Sequence, residues 1–366
     1  MKEKHIPVII GNYNPFRLII REGDKWEPSI DDINKNTYDY VKLARMSTFI
    51  DVGIAPLSMG ISFDGSLVLP ANGEFQDPTN ALNLFNKTLG ILLLGGLYSE
   101  AVHPEDISYG SLFINGYLKI SGGRNGACAT FHRNLRHLGA GPLDSIKLID
   151  PLTVQVSEIV KFQKRGVDYF GNISFLSPIV LLQGTTNYVK HQFTESLLFL
   201  WTSIEQIVNH VWEKEIIEKT YDKTISGRTK FLKDYRTWTT SNKIELLFQK
   251  NLINSELYSL LNLARKGRND FVHNSVEINE TVTFSALKGL FSLISLLNSE
   301  FKMVNLLDDV LELIDKNKRG ELYPKKTTFS SEEIQFWRYI PKLPGDVGWG
   351  DAEYEIIEEL VLKPLK

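Results

Sequence analysis

Residues 192–218 read QFTESLLFLWTSIEQIVNHVWEKEIIE, a run with neither proline nor glycine. Phe193, Leu197, Leu200, Trp201, Ile204, Ile207, Val208 and Val211 recur at steps of three and four, which places them on one broad face of a helix. The residues between them favour helix as well. Three more segments downstream follow the same arithmetic. One begins near Ser241–Asn242 and buries Ile244, Leu247 and Phe248, after a polar linker that contains Gly227. A second starts at Asn254–Glu256 and packs Leu257, Leu260, Leu261 and Ala264; a third carries Phe284, Leu287, Leu290, Phe291, Ile294 and Leu297. Four amphipathic helices on short connections predict an antiparallel all-α bundle over residues 186–318.

Upstream, the pattern is mixed. Asp64-Gly65 and Asn115-Gly116 sit between apolar runs and supply the positive φ angles of two-residue hairpins. Between them, Asp77-Pro78 predicts an N-cap followed by proline at the first helical position. That helix carries Leu82, Phe85, Leu89 and Leu92 on one stripe and stops at Gly95-Gly96. The apolar runs Ile146–Ile149 and Ile173–Leu182 read as buried strands. Residues 1–185 are therefore expected to form an α+β domain to which the pattern assigns no role, and residues 319–366 a C-terminal extension. In that extension, Ser330 with Glu333 makes a capping-box pattern ahead of Ile334–Trp337, prolines and glycines from Pro341 to Gly350 break regular structure, and Glu353–Leu360 predicts a short acidic helix.

The 366 residues suffice for two cores. A net charge of -3 provides no global attraction for nucleic acid, so a polyanion must be met by a local patch. The lone cysteine, Cys128, excludes an internal disulfide framework and suits a reducing cytoplasm. The Val8–Ile10 run is too brief for a secretory core, and Leu89–Leu97 is about half of a membrane span, so no membrane partner and a cytoplasmic location are expected.

The chemistry concentrates in ARKGRNDFVHNS, residues 264–275, read as lying between the third and fourth helices of the bundle. His273 follows Arg268 by five positions. On a helix those side chains stand about 7.5 Å apart along the axis and about 140° apart around it, so they line one cleft most readily when two copies of the bundle meet about a two-fold axis. Imidazole, with an ordinary pKa near 6.5, suits removal of a proton from a ribose 2′-hydroxyl and its delivery to a leaving 5′-oxygen. Guanidinium suits the phosphorane, since it stays charged and offers two donors in one plane. The set needs no metal and no cofactor. Arg265 and Lys266 are candidate phosphate contacts that guide an RNA backbone, or an ordinary solvated basic turn. Asn274 is a candidate ribose or phosphate contact, or a turn cap.

The pattern Arg268-Asn269 with His273 resembles the Arg-x4-6-His signature of the HEPN superfamily, and Leu200-Trp201-Thr202-Ser203-Ile204-Glu205 is similar to its first helix. The resemblance spans roughly residues 186–300 and is nearest to the ApeA-like HEPN domains of anti-phage proteins. It implies a dimeric, metal-independent endoribonuclease with Arg268 and His273 catalytic, supported by Asn269 as the polar follower of the arginine and by Glu205 as its acidic brace. It implies RNA as substrate, a homodimer, and a setting in phage defence or a toxin–antitoxin pair, with an antitoxin or a phage-derived trigger as partner. Some members of the superfamily have lost catalysis and serve as modules that dimerise and bind nucleotide, RNA or protein, which is the alternative reading. Asn209 stands where the family commonly has a basic residue.

Other groupings are weaker. Gly122 to Gly126, with Arg124, leads into His132, Arg133, Arg136 and His137; this reads as a surface loop entering a short basic helix and lacks the ending of a P-loop. Cys128, His132, His137 and His103 are too unevenly spaced to favour a zinc site. Gly139-Ala140-Gly141 lacks the third glycine of a dinucleotide fingerprint, and no metalloprotease or nucleophile-elbow motif occurs.

Overall fold

The computed structural model describes residues 4–297 except Lys223, residues 304–317, and isolated positions between 328 and 334. The sequence features expected at Glu333, Trp337, Pro341–Gly350 and Glu353–Leu360 lie outside the described residues.

Chain order is β1 (His5–Gly11), β2 (Arg17–Ile20), short helices α1 (Ile30–Asn34) and α2 (Tyr40–Leu43), β3 (Met46–Ile54), β4 (Leu57–Ser62) and β5 (Leu67–Pro70). Then come α3 (Pro78–Gly95), β6 (Ile107–Phe113), β7 (Leu118–Gly123), α4 (Ala127–Arg136), α5 (Pro142–Ser145), β8 (Leu152–Gln155), α6 (Val156–Asn172) and α7 (Pro178–Val189). The helical region continues with α8 (Phe193–Trp212), α9 (Arg228–Leu232), α10 (Thr240–Gln249), α11 (Ser255–Asn274), α12 (Glu280–Leu297) and α13 (Val304–Asn317). A sheet-rich N-terminal region thus precedes an all-helical one, as the patterning predicts.

Six strands form one antiparallel sheet in the order β3-β4-β5-β1-β6-β7, and β2 pairs in parallel with β8. Both hairpins form, with Gly65 and Gly116 at φ +87° and +80°, but the pairs Ser62–Ser66 and Phe113–Tyr117 close around three-residue loops in which only the glycine is left-handed, and not around two-residue turns. Central β1 shows the period of two. Ile9 joins the main core beneath α3, whereas Val8 and Ile10 pack on the opposite side with Met46, Val68, Leu118 and Ile120. Helix α3 begins as expected, with Asp77 accepting from the Thr79 N–H, and ends at Gly96 in the left-handed region.

The expected strands between 140 and 185 are corrected. Ile146–Leu148 is a 3-10 turn, and residues 173–182 enter α7, which Ser177 caps and Pro178 opens. A short apolar run has the same composition in a buried helix and a buried strand; here the Ser-Pro start selected helix. Helix α7 runs through position 185, the expected domain boundary. A continuous apolar cluster extends from Ile9 and Leu69 of the sheet, through Leu89, Leu93 and Leu181, to Leu200 and Ile294.

Close backbone approach joins the helices at this crossing. A Cβ on Gly95 would stand 1.9 Å from the Phe162 carbonyl oxygen, and one on Gly166 would stand 2.0 Å from the Ile91 oxygen. Helices α3 and α6 therefore touch through reciprocal glycines, which no larger residue permits.

Within the bundle, Leu197, Leu200, Trp201, Ile204, Ile207 and Val208 of α8 are buried, as are Ile244 and Leu247 of α10 and Leu257, Leu261 and Ala264 of α11. Two expectations are corrected, since Phe248 is only partly buried and Phe284 is 36% exposed, while Leu287, Leu290, Phe291 and Ile294 are buried as expected. Helix α12 is long and apolar enough, by length and composition, to cross a membrane, and half of it is buried inside the fold.

Candidate functional site

The ARKGRND segment lies inside α11, in its last turns, and not between helices as its polarity suggests. Gly267 explains how a helix holds that composition: a Cβ there would meet Val282 Cγ1 at 2.4 Å, so the glycine lets α12 pack directly against α11. Ala264 is buried next to it and anchors the helix, leaving Arg265, Arg268 and Asn269 half-buried on the flank towards α8 and α10.

Those side chains border a groove of about 500 Å³. Arg265, Arg268 and Asn269 come from α11, Trp201, Glu205 and Asn209 from α8, and Lys243 from α10; Tyr235 and Trp238 of the linker before α10 complete its rim. Three cations face one carboxylate, so the groove is locally positive although the chain is net negative. The N-terminus of α10, capped by Thr239, opens on the same groove and adds to that sign.

Polar contacts hold the groove in shape. Glu205 Oε1 accepts from Trp201 Nε1 (2.8 Å) and Thr240 Oγ1 (3.3 Å). Among the described residues no ion pair joins Glu205 to Arg268; Arg268 Nη1 donates to Asn269 Oδ1 at 3.2 Å. Arg265 Nη2 donates to Asn262 Oδ1 (2.9 Å), and Lys243 Nζ donates to Asn209 Oδ1 (2.7 Å). Partial burial lowers the Lys243 ammonium below its ordinary pKa, and Glu205 and Glu213 oppose that shift.

His273 does not line this groove. It is exposed on the last turn of α11, where a cation is favoured by the helix dipole. Lys266 and Asn274 are exposed as well. The left-handed cap after α11 is Ser275, at φ 53°, with Asn274 the last helical residue. Glu205, Arg265, Arg268 and Asn269 are therefore brought together, and His273, Lys266 and Asn274 stand outside their groove. Lys243 and Tyr235 belong to the groove but carry no sequence signal, being ordinary polar-segment residues until the chain folds back.

An exposed loop enters the short basic helix α4, as expected for residues 122–137, but two of the basic side chains of α4 are buried in a second polar cluster. His132 and Arg136 of α4 are 2% and 1% exposed, and both bind Asp64, which is 0% exposed. Arg136 donates to the carboxylate from Nε (2.7 Å) and Nη2 (2.5 Å), and His132 Nδ1 donates to Oδ2 at 2.8 Å. Ser62 Oγ adds a fourth bond at 2.6 Å. Burial alone would raise the Asp64 carboxyl, but the Arg136 guanidinium and His132 overcome it and hold the group far below the usual carboxylate range. The bonding is internally complete at the carboxylate and ties the β4–β5 hairpin to α4. Cys128 is buried on the same helix, and burial with the nearby Asp106 raises its thiol to about 12. No cluster of three metal-ligating side chains forms among the described residues.

Comparison with protein-family models, with curated proteins and with solved structures finds no match for this chain.

Proposed function

We propose that this chain is a metal-independent endoribonuclease of the HEPN type, active as a homodimer. The observation that carries the reading is the placement of Arg268 and Asn269 on α11 in a cationic groove, with an exposed His273 five residues on. One continuous helix separates the two side chains by about 140° around its axis, so one chain's pair cannot close on a phosphate by itself. A two-fold axis beside the end of α11 supplies what is missing, because each protomer adds an imidazole and a guanidinium to a shared cleft.

In that cleft one His273 imidazole takes the 2′-hydroxyl proton as the 2′-oxygen attacks phosphorus. The partner's His273, protonated, gives its proton to the departing 5′-oxygen. The products are a 2′,3′-cyclic phosphate and a 5′-hydroxyl. The two Arg268 side chains hold the equatorial oxygens while negative charge builds on them. Asn209 lacks the positive charge that the family pattern carries, and Lys243 brings an ammonium to the same point from α10, in support of the same reading.

The test is RNA incubated with purified protein in excess EDTA. Cyclic phosphate ends are expected, and His273→Ala is expected to reduce the rate by about 100-fold or more, as for loss of a general acid or base. Cleavage that survives in both His273→Ala and Arg268→Ala removes the assigned site. The alternative, a catalytically silent HEPN module that binds nucleotide, RNA or a partner protein, is favoured by the position of His273 outside the groove in one chain; binding without strand scission by the wild-type protein would select it. A role in phage defence or in a toxin–antitoxin pair, in the cytoplasm, with an antitoxin or a phage-derived trigger, is part of the same proposal.

A further inference from the structure

The linker between α8 and α10 is polar and carries Gly227, yet its second half is firmly anchored. Trp238 packs on Trp212 with ring centres 4.8 Å apart and on Phe231 at 5.7 Å. Trp212 Nε1 donates to the Leu232 carbonyl at 3.1 Å, and Lys233 pairs with Glu213 at 2.9 Å. Asp234 then closes a turn, with Thr237 Oγ1 donating to its carboxylate at 2.6 Å and the Trp238 N–H to its carbonyl at 2.9 Å. Tyr235 rides on this turn and is 73% exposed at the rim of the groove. The Arg236 guanidinium lies 5.9 Å from its ring centre.

A scattered surface tyrosine needs no explanation. This one differs in its setting: a pinned turn holds it at the edge of a groove that also holds Arg265, Arg268 and Lys243. An aromatic face beside several phosphate-binding cations is the arrangement that receives a nucleotide, since the ring stacks on a base while the cations take the backbone. We infer that Tyr235 is a base-stacking platform, and that the groove is a nucleotide subsite in which Lys243 and Arg265 hold the phosphate next to the stacked base. The inference rests on reading this groove as an RNA site, and it adds which residues select the substrate. A base inside a duplex has both faces covered by its neighbours, whereas a single strand can turn a base out onto Tyr235, so the subsite favours single strands.

The experiment uses the full chain with His273→Ala, to stop cleavage, and a fluorescein-labelled single-stranded 12-mer RNA and its duplex as probes for anisotropy. Single strand is expected to bind at least about 10-fold more tightly than duplex. Adding Tyr235→Ala is expected to weaken single-strand binding by about 5- to 150-fold, the range for loss of one base–aromatic stack, while Tyr235→Phe keeps it. Adding Lys243→Ala is expected to flatten the salt dependence of binding by about one unit of slope. Single-strand binding within two-fold of the parent for Tyr235→Ala overturns the platform.

Cleavage of the same 12-mer by the otherwise unaltered protein is read separately. Cleavage together with Tyr235-independent binding sinks the platform alone. Tyr235-dependent binding without cleavage keeps the subsite and sinks the nuclease. Absence of both binding and cleavage overturns the two together. Tyr235 is largely exposed, so unaltered thermal melting of its variants is expected and separates a binding loss from misfolding.

Discussion

Substitution of Asp64 by asparagine should expose how much of the N-terminal region depends on a buried charge. The carboxylate has no solvent contact and receives four short hydrogen bonds, from Arg136 Nε and Nη2, His132 Nδ1 and Ser62 Oγ. Asparagine keeps the shape and loses the charge, which leaves the Arg136 guanidinium buried with no counter-ion. Breaking a buried pair in this way costs about 3–5 kcal/mol, because the remaining charge is uncompensated. Arg136→Met removes the other partner, and the double variant Asp64→Asn/Arg136→Met leaves no buried charge from either. Its loss should fall well short of the sum of the two single losses, by at least about 2 kcal/mol. Urea unfolding followed by circular dichroism at pH 7 measures all four proteins. The pH dependence supplies a second reading. Asp64 is depressed in the folded state, so its contribution is complete above the unfolded carboxyl value near 4 and is lost as pH falls through the much lower folded value. Wild-type stability should therefore slope downwards below about pH 4, and Asp64→Asn should lack that part of the slope. A change of less than about 1 kcal/mol for Asp64→Asn, or strict additivity in the cycle, would refute the account.

Four further outcomes are expected. Arg268→Lys should lose RNA cleavage about as fully as Arg268→Ala, because an ammonium cannot offer two coplanar donors; near-normal rates in a gel assay would argue against bidentate phosphate contact. Cys128 should resist iodoacetamide at pH 8 in the folded protein and react once urea unfolds it, since its thiol is raised to about 12 by burial first and Asp106 second; mass spectrometry reads the adduct, and rapid labelling of native protein would contradict that burial. Gly267→Val should cost about 1–3 kcal/mol in urea unfolding by forcing α11 off Val282, and a neutral result would mean the two helices separate freely there. Ser275→Gly should stabilise by up to about 1 kcal/mol, as the position is left-handed; a loss of stability would mean that the serine side chain holds the cap.

Local chemistry was enough for much of this molecule. Asp77-Pro78, Asp64-Gly65, Asn115-Gly116 and the stripe from Leu197 to Val208 each encode an element through nearest-neighbour constraints: a cap, a positive φ, a period of 3.6. The order of α+β region and helical region follows from where those signals change. Residues 173–182 escaped because an apolar run without period looks alike in a helix and in a strand, and Phe284 because a stripe does not reveal how far a neighbour extends to cover it.

The candidate site divides along the same line. Arg268, Asn269 and His273 were readable as a spacing, and Glu205 as a residue on the first helix of the bundle. Only packing decided that Arg268 shares a groove with Lys243 and Tyr235, that Glu205 bonds Trp201 and Thr240, and that His273 points elsewhere. His132 and Arg136 make the point most plainly. Their composition promises a solvated helix, and their burial follows from a carboxylate on a hairpin more than sixty residues away. Sequence neighbours set dihedral angles, but the partner of a buried charge is chosen by the elements that meet around it.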